Sequence, residues 1–273
     1  DMAFNLPVET LAMLEAVEGE TVTFPVAYQY MMWMNTRSPA LADARVRKAI
    51  DLAVNRIDLV TATQAGVPAT GAFAGGFPFA APNELAFDPA AAATLLDEAG
   101  WVLGADGMRS RDGTALELVL YAYPQRPDLV TFQPVIRAAL AEIGIAVTTQ
   151  VTESPSDLAG SGEFDLFLWA QHTAPAGDPG HFLSLFFETG AARNYSGWSN
   201  AEYDALIAEL RAEGDPQARI DLALQAQEMI AADAPVSFLV TPEWHVGLSS
   251  ALAGYEPWGS DYYVIRSDLV ATK

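Results

Sequence analysis

Apolar and polar positions repeat with two different periods along this chain, and each change of period marks an element. Residues 21–35, TVTFPVAYQYMMWMN, are rich in aromatic and β-branched side chains and predict extended strand. From Asp43 the spacing becomes helical. Val46, Ile50 and Val54 fall on one face, and Asp43 is placed to cap a helix running through Ala53. Asn55 predicts the cap of a second, shorter helix. Residues 66–82, rich in Gly, Ala, Pro and Phe, predict an irregular loop. Asp88-Pro89 is a cap followed by proline at the first helical position, opening a helix that closes at Gly100.

The segment MRSRDGTALELVLYAY predicts a hairpin turning at Asp112-Gly113, with Leu116, Val119 and Tyr121 as apolar positions. A helix from about Asp128 to Glu142 follows, with Phe132, Ile136, Leu140 and Ile143 on one stripe and Gly144 at its end. IAVTTQVT and FDLFLWA (164–170) predict two strands. This strand–helix–strand order predicts an α/β domain with right-handed crossovers. Two more amphipathic helices are marked by Tyr203, Leu206, Ile207 and Leu210, and by Ile220, Leu224 and Met229. PVSFLV (235–240) predicts a late strand, and the aromatic tail GYEPWGSDYYVIRSDL predicts an ordered end.

Composition narrows the function. The chain has 273 residues, 51% of them apolar, enough for one large or two modest domains with a real core. A net charge of −21 argues against binding nucleic acid or an anionic membrane surface, both of which need clustered Lys and Arg. The simplest reading of that acidity is solubility. The absence of cysteine removes disulfides, thiolate catalysis and Cys-based zinc sites. No apolar run approaches the ~20 residues needed to span a bilayer. The opening residues Asp1-Met2-Ala3-Phe4 do not read as a signal peptide.

Three stretches come in a telling order: PALADARVRKAIDLAVNRIDLV (39–60), DPAAAATLLDEAGW (88–101) and SNAEYDALIAEL (199–210). Gly144-Ile145, FDLFLWA with a following Asp178-Pro179, NYSGWSNAEYDALI and APVSFL fit between and after them. Together they resemble the extracellular solute-binding proteins of ABC importers, the peptide- and nickel-binding family 5. The resemblance implies an α/β fold, a periplasmic-binding-protein-like lobe of type II (cluster C), with a mixed sheet and flanking helices. Such proteins close two lobes around a ligand. By that map residues 1–35 are a lobe I remnant with crossing strands, 36–235 a complete lobe II, and 236–273 the return to lobe I. Most of lobe I would then lie outside this chain, as would a precursor N-terminus able to carry an export signal or a lipid anchor.

The function implied is capture, not catalysis. A peptide or nickel-chelate-type solute would be bound in the periplasm or outside the cell and delivered to ABC permease subunits. The N-terminal lobe of the same protein would be a further partner, and nucleic acid would not. No cofactor is implied beyond a nickel chelate as transported ligand. Other small polar solutes, such as an opine or sugar, fit the same resemblance, as does a chemosensory ligand-binder. A Ser/His hydrolase would have to use Ser184 and His181, which share a helical face. There is no G-x-S-x-G, H-E-x-x-H or P-loop, and Asp106-Gly107 and Asp112-Gly113 lack calcium-loop spacing.

In peptide-binding members the strand matching FDLFLWA ends in Trp, and an Asp three residues later pairs with the peptide's α-amino group. Here those places hold Trp169 and His172. Dipeptide binders also place an Arg just before the helix that ends in Gly-Ile, to hold the α-carboxylate. Counting back from Gly144, that place is Tyr123, with Arg126 nearby but out of register. Both charged anchors are thus absent from the expected positions, and an unpartnered buried charge costs several kcal/mol in order of magnitude. Free dipeptides are therefore disfavoured. The candidate ligand-binding set is Tyr123, Arg126, Trp169, Gln171, His172, Thr173 and Asp178. His172 and His181 are the candidate metal contacts, since neutral imidazole suits nickel; the alternative is that both are ordinary loop or core histidines. Asp178-Pro179 also has the pattern of a cap for GHFLSLFF, His245 reads as structural, and Arg45 and Arg47 are expected to hold lobe II together through carboxylates.

Overall fold

A computed structural model describes residues 1–15, 20–82, 86–252, 254–258, 265–267 and 269. In chain order its elements begin with β1 (Met2–Ala3), α1 (Leu11–Glu15), β2 (Glu20–Pro25), β3 (Tyr28–Met34), α2 (Ala44–Ala53), α3 (Arg56–Thr63) and β4 (Val67–Pro68). Next come α4 (Pro89–Glu98), β5 (Val102–Leu103), β6 (Arg109–Arg111), β7 (Thr114–Ala115) and β8 (Glu117–Ala122). The second half holds α5 (Pro127–Glu142), β9 (Ala146–Val151), α6 (Pro155–Ser161), β10 (Leu166–His172) and α7 (Gly180–Phe187). The last four are α8 (Ala201–Ala212), α9 (Pro216–Asp233), β11 (Val236–Thr241) and β12 (Glu243–Leu248).

Helices start where short polar side chains can satisfy their free N–H groups. The Asp43 carboxylate accepts from the Arg45 amide at the head of α2, and Asn55 accepts from Ile57 at the head of α3. Asp88, Asn200 and Asp215 do the same for α4, α8 and α9. Between β6 and β7 both turn residues are left-handed, Asp112 at φ 53 and Gly113 at φ 79, which matches the twist of a two-residue hairpin.

The main sheet has six strands in the order β4-β11-β3-β10-β8-β9. β8 is parallel to both β9 and β10, whereas β3 is antiparallel to β10 and β11. An early strand therefore lies mid-sheet, with Trp33 opposite Phe167 on one side and Val236 on the other. Alternate residues of β3 point to opposite faces. Tyr30 meets Phe132 of α5 at 5.9 Å, and Trp33 stacks on Phe186 of α7 at 6.1 Å. Helices thus cover both faces, giving an α/β architecture with a mixed sheet and flanking helices. A second, three-stranded sheet, β1-β12-β2, packs its own cluster of Phe24, Val26, Val246, Leu248 and Tyr255. The chain passes between the two sheets at Val26-Ala27 and at Pro242, where the Val26 amide donates to the Pro242 carbonyl at 3.0 Å.

Several sequence expectations change here. Residues 21–35 form two strands broken at Val26-Ala27, because the chain changes sheets there. The buried face of β8 is Leu116 with Leu118, Leu120 and Ala122, while Val119 and Tyr121 are only half-buried on the other face. In α9 the fully packed stripe is Leu222, Ala223, Ala226 and Ile230, and Ile220, Leu224 and Met229 flank it, because α9 packs against α8, α2 and β11 together. Arg45 does pair with Asp43, but buried Arg47 donates to the carbonyls of Leu41, Ala42 and Asp233 rather than to carboxylates. Burial holds its pKa below the usual arginine value. The loop over 66–82 contains one short strand, β4, which edges the main sheet. Of the tail expected to be ordered (254–269), residues 259–264 and 268 lie outside the described residues. Among the described residues no helix is long and apolar enough to cross a membrane.

Candidate functional site

Open α/β sheets bind ligands beyond the carboxyl ends of their parallel strands. β8 ends at Ala122, level with Leu168 of β10; β10 runs four residues further to His172, where antiparallel β3 begins beside it. The register sets His172 opposite Tyr28, Gln171 opposite Gln29 and Trp169 opposite Met31. Alternation then divides the candidate residues between two faces.

On one face Trp169 is half-buried among rings, with Tyr123 at 5.6 Å, Phe167 at 5.5 Å and Tyr195 at 5.2 Å. Its indole N–H donates to Gln171 Oε1 at 3.2 Å, and the Gln171 amide donates to the His172 carbonyl at 2.9 Å. Tyr123 is buried, and its hydroxyl oxygen accepts from the Ala170 amide at 3.0 Å. Burial raises the Tyr123 pKa above the ordinary phenol value. Thr173 is fully buried and donates from its amide to the Ala27 carbonyl at 2.8 Å.

On the other face a cleft of about 450 Å³ opens between the two sheets. Tyr28 and Tyr30 of β3 form its floor, and Arg126 and Asp128 from the head of α5 and Glu243, Trp244 and His245 from β12 line it as well. The Arg126 guanidinium lies over the Tyr28 ring, 5.5 Å from its centre, and the buried His172 ring meets the same tyrosine edge-on at 5.1 Å. The Tyr30 hydroxyl donates to Asp128 Oδ2 at 3.0 Å. Burial, reinforced by that carboxylate, pushes the Tyr30 pKa well above the ordinary phenol value. Trp244 stacks on Phe4 at 6.2 Å, and His245 Nδ1 bonds Thr23 Oγ1 at 2.7 Å.

A separate groove of about 230 Å³ between α7, α8 and α9 holds Asp178 and His181. α7 begins at Gly180, so Pro179 is the capping position. Asp178, one residue earlier, accepts from the Gly180 amide at 2.8 Å and pairs with Arg219. Ser184 donates to the Gly180 carbonyl at 2.7 Å and approaches the His181 backbone carbonyl, not its ring, so no nucleophile–base pair forms there. His172 is buried at the end of β10, whereas His181 is exposed on α7. Among the described residues no group of three or more His, Cys, Asp or Glu is placed to hold a metal ion.

The position just before the Gly-Ile helix is also resolved. α5 opens at Pro127, so the residue immediately ahead of it is Arg126, and Tyr123 lies three residues further back. Proline at the start of a helix was the available signal. Tyr28, Tyr30, Asp128 and Trp244 carry no local mark of a site, because only the pairing of distant strands brings them to the cleft.

The family model for bacterial extracellular solute-binding proteins, family 5 Middle, matches residues 1–194. The chain belongs to this family. Among relatives of this family-5 chain, the nickel-binding protein NikA of Staphylococcus aureus is 21% identical over 97% of this chain and 53% of its own length. A dipeptide-binding protein of Pseudomonas aeruginosa is 26% identical over 92% of this chain and 47% of its own length. The crystal structure of a nickel ABC transporter protein from Bacillus halodurans superposes with a TM-score of 0.87 at 27% identity, covering 97% of this chain and 57% of that one. The family-5 chain thus spans about half the length of the curated relatives it matches.

Proposed function

We propose that this family-5 chain is the solute-binding part of an ABC import system, and that the solute lies on Tyr28 and Tyr30 in the cleft between the two sheets. One observation carries this reading. Arg126 sits at the mouth of that cleft, over an aromatic floor, and makes no ion pair among the described residues. In a chain with 35 acidic residues and 14 basic ones, an arginine left without a carboxylate is a natural anchor for an anionic group on a ligand.

Residues 36–235 would act as lobe II, and the small sheet with its connecting strands as part of lobe I. The two would swing about Val26-Ala27 and Pro242 when a solute is bound. The closed form would dock on permease subunits at the outer face of a membrane, without a chemical step and without a resident cofactor. The named relatives bind nickel or dipeptides, and both kinds of cargo suit an anion anchor: a peptide through its carboxylate, nickel through a carboxylate chelator. His172 occupies the place where peptide binders offer a carboxylate to an amino terminus, so a plain dipeptide would need another amine acceptor. Trp169, Tyr123, Gln171 and Thr173 would shape the edge of the site from behind, and Asp178 and His181 would lie apart from it.

The test is thermal unfolding of the mature full-length protein against nickel with and without histidine, di- to pentapeptides, opines and sugars. A solute at a hundredfold over its dissociation constant stabilises by roughly 2.7 kcal/mol, a shift of a few degrees. A shift with one class that disappears in Arg126→Gln supports the cleft. A shift that survives this substitution places the solute elsewhere.

A further inference from the structure

The first turn of α5 sets a second charge beside Arg126, of opposite sign. Asp128 lines the same cleft, is only half-buried, and makes no ion pair among the described residues. Its Oδ2 accepts from the Tyr30 hydroxyl at 3.0 Å, and no donor reaches Oδ1 among the described residues. A carboxylate early in a helix is favoured by the helix dipole, which accounts for an acid being tolerated there. It does not account for an oxygen left open towards a cleft. Tyr30 holds Asp128 in place as a directed donor, because its buried phenol keeps its proton.

We infer that Arg126 and Asp128 together read one α-amino-acid headgroup, the guanidinium taking its carboxylate and Asp128 its ammonium. This rests on the cleft being the solute site, as proposed above. The two residues are separated by Pro127 alone, at the head of α5. Their charges suit two ionic groups carried on one carbon better than the two ends of an extended peptide. The body of the solute then extends over Tyr28 towards Trp244, where the walls are aromatic. Glu243 is the other carboxylate lining the cleft among the described residues, but it comes from β12 rather than from α5. From there it would meet the far end of a longer solute.

The test is titration calorimetry on the mature full-length protein with L-leucine and L-histidine, each free, N-acetylated and as the methyl ester. Wild-type protein is expected to prefer the free amino acid over both blocked forms by about tenfold or more, since a site built around a polar group rejects ligands lacking it. Asp128→Asn, which keeps an acceptor for Tyr30, is expected to abolish the preference over the N-acetyl form but not over the ester. Arg126→Gln should do the reverse. Equal binding of free and N-acetylated forms by wild type overturns the inference, and that comparison needs no variant to fold. So does a preference over the N-acetyl form that survives unchanged in Asp128→Asn. If no amino acid binds but a peptide, sugar or chelate binds in an Arg126-dependent way, the headgroup inference fails and the cleft stands. If every solute that binds does so independently of Arg126, the cleft itself is the wrong site.

Discussion

The guanidinium of Arg126 stands 5.5 Å from the centre of the Tyr28 ring, at the edge where β3 begins beside the end of β10. An exposed cation over a ring is worth about 0.5–1 kcal/mol, so this contact does little for folding. Arg126→Gln should therefore shift the midpoint of thermal unfolding by only a degree or two, yet weaken an anionic solute by about tenfold or more. Arg126→Lys should not restore full affinity, because a point charge lacks the planar fork. Affinity and unfolding measured on the same preparations check this. A large loss of stability in Arg126→Gln would show that the residue is mainly structural.

Asp51 and Arg56 form a buried ion pair at 2.5 Å, and Asp51 also accepts from Ser237 at 2.7 Å. Arg56 reaches on to the Phe238 carbonyl at 2.8 Å, tying α3 to β11. Removing one partner of such a pair strands a charge in the core. Asp51→Ala is expected to destabilise by about 3–5 kcal/mol, read as a lower urea midpoint with an unchanged slope. A cost under about 1 kcal/mol, the range of exposed pairs, would mean that water reaches the pair.

Gly144 closes α5 at φ +85, and a Cβ there would stand 2.8 Å from Leu103 and 2.9 Å from the buried Arg109 side chain. Gly107 has a similar φ of +80 but open space around it. Left-handed strain alone costs about 1–2 kcal/mol, so Gly107→Ala should lose that much. Gly144→Ala should lose more, because its clash adds to the strain. Denaturation of the two variants side by side tests the order, and equal losses would show that the Leu103 and Arg109 side chains yield freely.

Tyr30, Tyr123 and Tyr203 all hold their protons above the ordinary phenol value of 10.0, in each case chiefly through burial. In the unfolded chain they would ionise near that value. Above it the unfolded state binds fewer protons than the folded one, so stability falls as pH rises. Below it the three groups contribute no pH dependence. Phenolate absorbance should plateau short of the nine tyrosines present until alkaline unfolding releases the rest. A smooth titration of all nine while the protein stays folded would contradict the burial seen here.

How much of this was legible in advance depended on range. The heads of α2, α3 and α4 fall where Asp43, Asn55 and Asp88 predict them, because a cap bonds an amide two or three residues away. The apolar phase of β8 and α9 was misjudged because both elements touch neighbours on more than one side, and period alone does not say which side is fully packed. The candidate set was only partly gathered. Arg126 lines the cleft, His172 packs beside its floor at Tyr28, Trp169 and Gln171 turn to the opposite face of the same strand, and Asp178 and His181 line a different groove.

By itself the sequence determined the α/β order of elements, the helix starts and the family, all of which rest on local bonds, short-range periodicity and ordered motifs. Only the tertiary structure decided what the cleft is made of. Tyr30 and Asp128 are 98 residues apart, and Trp244 arrives from the far end of the chain. They meet because β3 is threaded antiparallel between β10 and β11, and because the chain crosses between sheets at Val26-Ala27 and again at Pro242. Register and crossing are set by the packing of the whole sheet, and no local pattern of residues encodes them.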